Sequence, residues 1–256
     1  MEVDFWEEVA ITGEGDKWYP PTPASNSKIW RYRSLDRYLS ILDGESLWFA
    51  RADEVGDQYE GSLPELTFRR WVSKLAKLRI DYQSVFRYLQ LMSHLNCWHE
   101  NTSESFAMWD IYLENNCGVA IVSTPSRVKN ALQINEGEYL TGKVNYIDYT
   151  EGDFNIDSTV TPFFHKRESF QHEREYRILY RQGEDAYDDD GMKTEDFGEN
   201  IPEGIPVSID IGTLIEEVVI SPGGDDEFRE EVVDETRARG FEFPINHSKL
   251  TGTPLF

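Results

Sequence analysis

The stretch Phe163–Tyr180 constrains the fold most, because it places alternating charges within a segment of strand-forming composition. Its second half, His172–Tyr180, predicts a β-strand, in which successive side chains point to opposite faces. Glu173, Glu175 and Arg177 would then share one face of the strand. Since carboxylates are costly to bury without partners, this row needs ion-pair partners, solvent or a ligand. The pattern agrees both with a solvated ion-pair ladder, in which Arg177 neutralises Glu175, and with a ligand site.

Length and composition predict one folded domain. The chain has 256 residues, 39% hydrophobic and 13% aromatic, which is enough for a core. We expect an irregular arm over residues 1–27, a single domain over 28–256, and an acidic, solvated loop at 182–206.

The longest apolar runs are too short to span a membrane and no amino-terminal signal is evident, so a cytoplasmic protein is expected. Cys97 and Cys117 are predicted to be buried free thiols.

The net charge of −23 is the strongest compositional signal. Repulsion of this size argues against non-specific binding to phosphate backbones, which requires clustered Lys and Arg. The excess of 48 acidic over 25 basic residues is typical of proteins from salt-loving organisms, where salt screens the dense carboxylates. An acidic surface adapted to a partner would give the same composition.

Hydrophobic periodicity predicts strands and helices without regular alternation, which indicates an α+β fold with mixed, mostly antiparallel sheets and flanking helices. The predicted strands are 28–34, 46–51, 96–99, 118–124, 141–150, 172–180, 207–209, 217–221 and 241–245. The predicted helices are one capped by Ser34 and ending at Gly44, a long one over 64–95, one capped by Thr102 or Ser103, one beginning at Thr124-Pro125, and one over 225–239.

An ordered set of landmarks runs from about Ile29 to Leu250. They are Trp30–Ser34, Leu47–Ala50, Asp57–Gly61, Cys97–Trp98, Ser105–Tyr112, Gly118–Ile121, His172–Arg177 and Glu217–Pro222. Together they resemble a prokaryotic family known as domain of unknown function 2971. The resemblance implies an intracellular effector in a defence or toxin setting and brings no settled activity with it.

A second resemblance concerns mechanism. The aromatic–basic–aromatic first strand, short helix, second strand and late carboxylate strand are similar to the plan of ADP-ribosyltransferases, which bind NAD in a cleft between two small sheets. This resemblance implies NAD as the small anionic nucleotide ligand and leaves open whether the acceptor is a protein or a nucleic acid. Cleavage of the N-glycosidic bond develops an oxocarbenium-like cation, which a fixed carboxylate stabilises well in a dry cleft.

The same resemblance assigns roles to particular residues. It implies Glu175 as the carboxylate that faces the cation and Glu173 as a helper for the acceptor. Arg31 or Arg33 would pair with phosphate, where a guanidinium bonds bidentately. The remaining candidates are Trp48, Phe49 or Tyr59 as a stacking surface and His99 as an acid–base residue near the cleft.

Two alternatives remain open at this point. The acids Asp57, Glu60, Glu173 and Glu175 offer the oxygen ligands that Mg²⁺ or Mn²⁺ prefers, which would suggest a metal-dependent phosphoesterase or nuclease. Alternatively, the chain is a non-catalytic binding or sensing module, in which Arg31 and Arg33 form a buried ion-pair cluster with Glu173 and Glu175.

Overall fold

The computed structural model describes residues 19–78, 82–113, 117–133, 138–154, 158–181 and 201–252. The predicted arm therefore lies outside the described residues as far as residue 18, and the predicted acidic loop as far as residue 200. Two compact units divide the chain, and each is built from three separate segments. The first unit comprises Met1–Thr22, Phe49–Asn96 and Glu136–Ile205, and the second comprises Pro23–Trp48, Cys97–Asn135 and Pro206–Phe256.

Strands and helices are intermixed along the chain. The strands are β1 (Ile29–Arg33), β2 (Ser46–Arg51), β3 (Ser93–Glu100), β4 (Val119–Ser123), β5 (Glu138–Lys143), β6 (Asn145–Ile147), β7 (His165–Arg167), β8 (Glu175–Arg181), β9 (Gly204–Ser208), β10 (Glu217–Ile220) and β11 (Ile245–His247). The α-helices are α1 (Leu35–Gly44), α2 (Glu65–Leu78), α3 (Tyr82–Met92), α4 (Phe106–Tyr112), α5 (Pro125–Ala131), α6 (Ile211–Leu214) and α7 (Asp226–Ala238). Short 3-10 helices cover Ala52–Glu54, Thr161–Phe164, Glu168–Glu173 and Lys249–Thr251. Within the described ranges, no helix combines the length and the apolar character that a membrane crossing requires.

The first unit contains the strand that the sequence singles out. β8 pairs antiparallel with β5, from Glu138 opposite Arg181 to Lys143 opposite Tyr176. The short strands β6 and β7 pair in parallel, and the end of β2 pairs antiparallel with the start of β3. Side chains in the first five positions of β8 are buried, including the charged ones. β8 therefore presents charged groups to the interior of this unit.

The second unit is built around β4, whose five residues are all buried. β4 lies between the antiparallel strands β1 and β10, and β11 continues the sheet in parallel beyond β10. Trp30 and Tyr32 of β1 pack with Met108 and Trp109 of α4 in a core cluster. The almost wholly apolar composition of 118–124 thus corresponds to a central strand, as predicted.

The α+β class is confirmed, because helices accompany strand pairs that are mostly antiparallel. Several boundaries differ from the prediction. The predicted helix over 64–95 is two helices, and β3 begins at Ser93 because Leu95 pairs with Ala50 of β2. Residues 79–81, where the two helices meet in sequence, lie outside the described residues.

Predicted capping residues are partly correct. Thr124 accepts a hydrogen bond from the Arg127 amide at the start of α5, with Pro125 in the first position as predicted. Ser34 occupies the N-cap position of α1 without a side-chain capping bond, and α4 is capped by Ser105 rather than by Thr102 or Ser103. Cys117 is exposed and Cys97 is only half-buried, so the prediction of two buried thiols is wrong.

Candidate functional site

Glu175 and Arg177 at the start of β8 share one face, as the two-residue period of a strand requires. Arg177 donates from Nε (3.1 Å) and from Nη2 (2.8 Å) to Oε2 of Glu175. Glu175 is 6% exposed and Arg177 1% exposed, so this ion pair is removed from water. The Arg177–Glu175 ion pair, one of the two interpretations that the sequence left open, is therefore present, but it is buried rather than solvated and both groups have further partners.

The turn Asp57–Gly61 supplies the second partner of Arg177. Both carboxylate oxygens of Glu60 accept bonds from Arg177, at 2.5 Å from Nη1 and 3.0 Å from Nη2. The turn closes on Gly61, whose φ of 70° favours glycine, and the ring of Phe163 would lie 2.4 Å from a Cβ there. Nη1 of Arg177 also donates to the carbonyl of Phe163. Gly61 thus allows the turn to approach closely enough for Glu60 to reach Arg177.

Lys166 of β7 bridges the two carboxylates that the sequence singled out. Its Nζ donates to Oε2 of Glu173 at 2.5 Å and to Oε1 of Glu175 at 2.8 Å. Glu173 is not part of the strand, contrary to prediction: it ends a 3-10 helix, and Arg174 follows in the left-handed conformation with φ 42°. The two carboxylates therefore converge on Lys166 through this bend and not through strand alternation. We call Glu60, Lys166, Glu173, Glu175 and Arg177 the charge cluster.

Burial distinguishes the carboxylates of the charge cluster. The side chain of Glu173 keeps 16% of its exposure and that of Glu175 keeps 7%. Burial, the largest effect, and then hydrogen bonding and repulsion from Glu175 raise the pKa of Glu173 to about 7, against the attraction of Lys166. Burial also raises the pKa of Glu60, and Arg177 opposes this shift. With Glu173 protonated, two anions face two cations, and the cluster is neutral.

Tyrosines border the charge cluster. The hydroxyl of Tyr146 accepts a hydrogen bond from the amide of Glu175 at 2.9 Å. Burial and then the nearby Glu175 carboxylate raise the pKa of Tyr146, so its hydroxyl stays protonated. The hydroxyl of Tyr149 donates to the carbonyl of His165 at 3.2 Å. These contacts fix the start of β8 and the residue before Lys166.

Arg167, the neighbour of Lys166, forms a separate contact group. Its guanidinium lies 4.1 Å from the ring centre of Tyr59 and 5.2 Å from that of Phe170. Nη2 donates to Oδ1 of Asp57 at 2.7 Å. Tyr59 is 47% exposed, so it offers aromatic surface to solvent as the sequence suggested for a stacking residue. We call Tyr59, Arg167 and Phe170 the Arg167 stack.

The predicted basic residues belong to the second unit. Arg31 is 7% exposed, donates from Nη1 to the carbonyl of Cys97 at 2.8 Å and lies over the ring of Trp98. Burial lowers the pKa of Arg31 and lowers that of half-buried Arg33 to about 10. Glu173 and Glu175 belong to the first unit, so their convergence with these arginines stays a prediction.

The other sequence candidates differ in exposure. Trp48 is 52% exposed, whereas His99 is 6% exposed and its ring centre is 6.4 Å from that of Tyr32. Phe49 is fully buried and packs edge-on against Tyr180, so it presents no ring face to a ligand in this conformation. The stacking roles of Trp48 and Tyr59 and the acid–base role of His99 stay predictions.

The acids proposed as metal ligands are already paired with cations. Asp57 accepts from Arg167, Glu60 and Glu175 from Arg177, and Glu173 from Lys166. Across the ranges that the structure describes, no group of three His, Cys, Asp or Glu residues is placed to bind a metal ion. The metal-dependent alternative therefore gains no support from the described part of the chain.

A surface pocket of about 560 Å³ lies in the second unit, along α7 and the segment that leads to β11. Its lining includes Arg229, Arg237, Phe241 and Phe243 and contains none of the predicted site residues. Three acidic side chains, Glu230, Asp234 and Glu242, also line it, so the lining has one more acidic than basic group. None of the residues of the charge cluster lines this pocket.

The sequence prediction missed Lys166, Arg167 and Tyr146. Lys166 and Arg167 form a basic pair six to seven residues before Glu173, within the same stretch Phe163–Tyr180 that contains the carboxylates. Two adjacent cations in a segment of buried strand composition were a usable signal, because buried cations require anionic partners. Tyr146 had no comparable signal.

The fold and site define an α+β chain with a buried charge cluster at the start of one strand. No protein-family model matches the chain, and no curated protein matches it either. The resemblance to domain of unknown function 2971 is therefore not confirmed.

Solved structures of one protein show a distant likeness. Thermus sp. 2.9 DarT in complex with NAD+ matches with TM-score 0.42 and 11% identity over 91% of this chain and 100% of that one. DarT in complex with ADP-ribosylated ssDNA matches with TM-score 0.41 and 10% identity over 92% and 100% of the two chains. TM-scores below 0.5 at this identity are too low to assign the present chain a fold family, a ligand or an activity.

Proposed function

We propose that this chain consumes NAD as an ADP-ribosyltransferase-like enzyme, with Glu175 and Glu173 as its catalytic carboxylates. The observation that supports the proposal best is the carboxylate pair bridged by Nζ of Lys166. Glu175 is buried and fixed by Lys166 and Arg177, whereas Glu173 is more exposed and has a pKa of about 7. A fixed anion next to a group that exchanges a proton near neutral pH suits glycosyl transfer.

The two carboxylates divide the reaction between them. The bond between C1′ of the nicotinamide ribose and the pyridine nitrogen breaks, and its electron pair leaves with nicotinamide. Glu175 stabilises the positive charge that develops at C1′. An acceptor nucleophile, from a protein, a nucleic acid or water, then bonds to C1′ and loses its proton to Glu173. The defence or toxin setting belongs to this proposal as well.

The test is nicotinamide release by the full-length chain incubated with millimolar NAD and analysed by chromatography. Glu173→Gln keeps a hydrogen-bonding group near Lys166 but cannot accept a proton, so turnover should fall about 10²-fold or more. Glu168→Gln is the matched control, because Glu168 is an exposed carboxylate in the same 3-10 helix. Absence of nicotinamide release by the wild-type chain, or equal loss in both variants, would contradict the proposal.

A specific observation also favours a second function, a binding or sensing module without catalysis. Glu175 is 6% exposed, and each of its carboxylate oxygens already accepts a bond from Lys166 or Arg177. In this case the charge cluster only fixes the fold, and removal of one partner from such a buried pair typically costs about 3–5 kcal/mol. Two results together would establish this function. The wild-type chain would bind nucleotide without releasing nicotinamide, and the Glu175→Gln and Glu60→Gln variants would both melt at a lower temperature than the wild type, by the same amount.

A further inference from the structure

The Arg167 stack lies in the same unit as the proposed catalytic carboxylates, and its guanidinium has N–H groups that form no hydrogen bond within the described part of the chain. A guanidinium has five N–H groups. Among the described residues, that of Arg167 makes a single hydrogen bond, from Nη2 to Oδ1 of Asp57. Its side chain is 34% exposed, and its Nε is buried without an acceptor. Arg167 therefore retains hydrogen-bonding capacity that Asp57 does not use.

Two aromatic rings pack against the guanidinium of Arg167. Tyr59 and Phe170 both lie within about 6 Å of the guanidinium, the range in which a ring attracts a cation through its face. A guanidinium that packs against rings can still form hydrogen bonds to oxyanions in its own plane. The rings thus restrict the movement of Arg167, while Asp57 accepts its one hydrogen bond among the described residues. A guanidinium ordered in advance loses little entropy when an anion binds.

Sequence position connects the stack to the carboxylates. Arg167 directly follows Lys166, whose Nζ bridges Glu173 and Glu175, and Lys166 also lies 4.5 Å from the ring centre of Phe170. Phe170 therefore contacts both the lysine of the charge cluster and the arginine of the stack. A ligand that reaches from the carboxylate pair to the stack would place its glycosidic carbon at the carboxylates and would meet a cation with exposed aromatic surface at its other end.

We infer that the Arg167 stack binds the pyrophosphate of a dinucleotide, with Arg167 bonding the phosphate oxygens and Tyr59 offering its exposed ring to the adjoining nucleoside. The inference rests on the proposed function for the identity of the ligand. It assigns phosphate recognition to Arg167 of the first unit. The resemblance to ADP-ribosyltransferases had instead implied Arg31 or Arg33, which belong to the second unit. Arg suits this role better than Lys, because its planar fork matches two phosphate oxygens at once.

The experiment measures binding of ADP-ribose, inorganic pyrophosphate and adenosine by calorimetry at low ionic strength, with the full-length chain. Arg167→Lys keeps the charge beside Asp57 and loses the planar fork, so affinity for both phosphate probes should fall about tenfold. Adenosine, which lacks phosphate, should bind Arg167→Lys and wild type equally. Arg70→Gln is the matched control, because exposed Arg70 pairs with Asp153 and has no part in the stack.

The outcomes separate this inference from the proposed enzyme. Loss of phosphate binding in Arg167→Lys but not in Arg70→Gln supports the inference, even when no nicotinamide is released from NAD. Wild-type affinity in Arg167→Lys, equal loss in Arg70→Gln, or no binding of either phosphate probe by the wild type overturns it. In particular, normal NAD turnover with an unchanged KM in Arg167→Lys would leave the enzyme standing and remove the subsite. Tyr59→Leu provides a second variant, for which ADP-ribose binding should weaken more than pyrophosphate binding, because ADP-ribose loses the ring that its nucleoside contacts, whereas pyrophosphate loses only part of the ordering of Arg167.

Discussion

Glu173 and Glu175 are two residues apart and have different chemistry. Glu175 accepts bonds from both Lys166 and Arg177 and is almost fully buried, so its charge is well compensated. Glu173 pairs with Lys166 and shares that cation with Glu175. Burial is the main cause that raises the pKa of Glu173 to about 7. An anion with a full set of donors stays ionised, whereas one that competes for a shared donor takes up a proton more readily.

The raised pKa of Glu173 predicts a pH dependence of stability. Between the ordinary carboxyl value of 4.5 and about 7, the folded chain retains a proton on Glu173 that the unfolded chain has lost. The stabilising contribution is therefore fully present below pH 4.5 and is lost as pH rises through 7. Relative to Glu173→Gln, we expect the wild-type free energy of unfolding to decrease by about 1–3 kcal/mol across this window.

Urea unfolding at a series of pH values measures this difference. Glu168→Gln, with an exposed carboxylate from the same 3-10 helix, serves as the control and should parallel the wild type. Parallel curves for the wild type and Glu173→Gln between pH 4.5 and 7 would show that Glu173 titrates alike in the folded and unfolded chain.

At the scale of elements, the turn Asp57–Gly61 is the part of the site that a single substitution should disturb most. Gly61→Ala places a methyl group 2.4 Å from the ring of Phe163 at a φ of 70°. The left-handed conformation costs about 1–2 kcal/mol for an L-residue, and overpacking adds about 1–3 kcal/mol. We expect a clear loss of stability and displacement of Glu60 from Arg177.

Gly56→Ala provides the matched control for this turn. Gly56 is exposed, has no positive φ, and an added Cβ there would meet nothing within 4 Å. Its free energy of unfolding should stay within about 0.5 kcal/mol of the wild type or rise slightly. Equal unfolding midpoints for the two variants would mean that Phe163 and the turn move apart at little cost.

The sequence predicted those elements whose signal is local. The apolar run at 118–124 gave β4, and Thr124-Pro125 gave the start of α5, because both depend on composition or capping within a few residues. The strand of Glu175 and Arg177 was also predictable, since their shared face follows from a period of two. The start of that strand was placed too early, because periodicity does not report the left-handed Arg174 that separates it from the 3-10 helix.

The partners within the site depended on distant contacts. Arg177 meets Glu60, which lies 117 residues earlier in the sequence, and Arg167 meets Asp57 110 residues earlier. A single sequence indicates that a buried cation needs an anion but not which distant turn supplies it. For the same reason, the helix predicted through Leu95 ended at Met92, where pairing with β2 outweighed the apolar period.

At the scale of the whole molecule, the net charge of −23 contrasts with the near neutrality of the charge cluster. Self-repulsion among surface carboxylates favours expanded states of the chain and decreases as salt screens it. We therefore expect the melting temperature to rise by several degrees between about 0.05 M and about 1 M NaCl, over which the screening length falls from above 10 Å to about 3 Å.

The control for the salt effect is pH. Near the isoelectric point of about 4.5 the net charge approaches zero, so the same addition of NaCl should change the melting temperature little. A melting temperature at neutral pH that does not depend on NaCl would show that repulsion among the acidic side chains does not destabilise the folded chain.

The interleaving of the two units limits how this protein can be dissected. Each unit takes three segments that alternate along the chain, with junctions inside β2, β3 and β9. A truncation at the junction inside β2 or inside β3, toward either end of the chain, would therefore cut through a strand and remove segments of both units. Fragment expression, limited proteolysis and domain transplantation are poor tools for such a chain. Assigning roles to its residues requires single substitutions in the intact polypeptide, each accompanied by a measurement of folding.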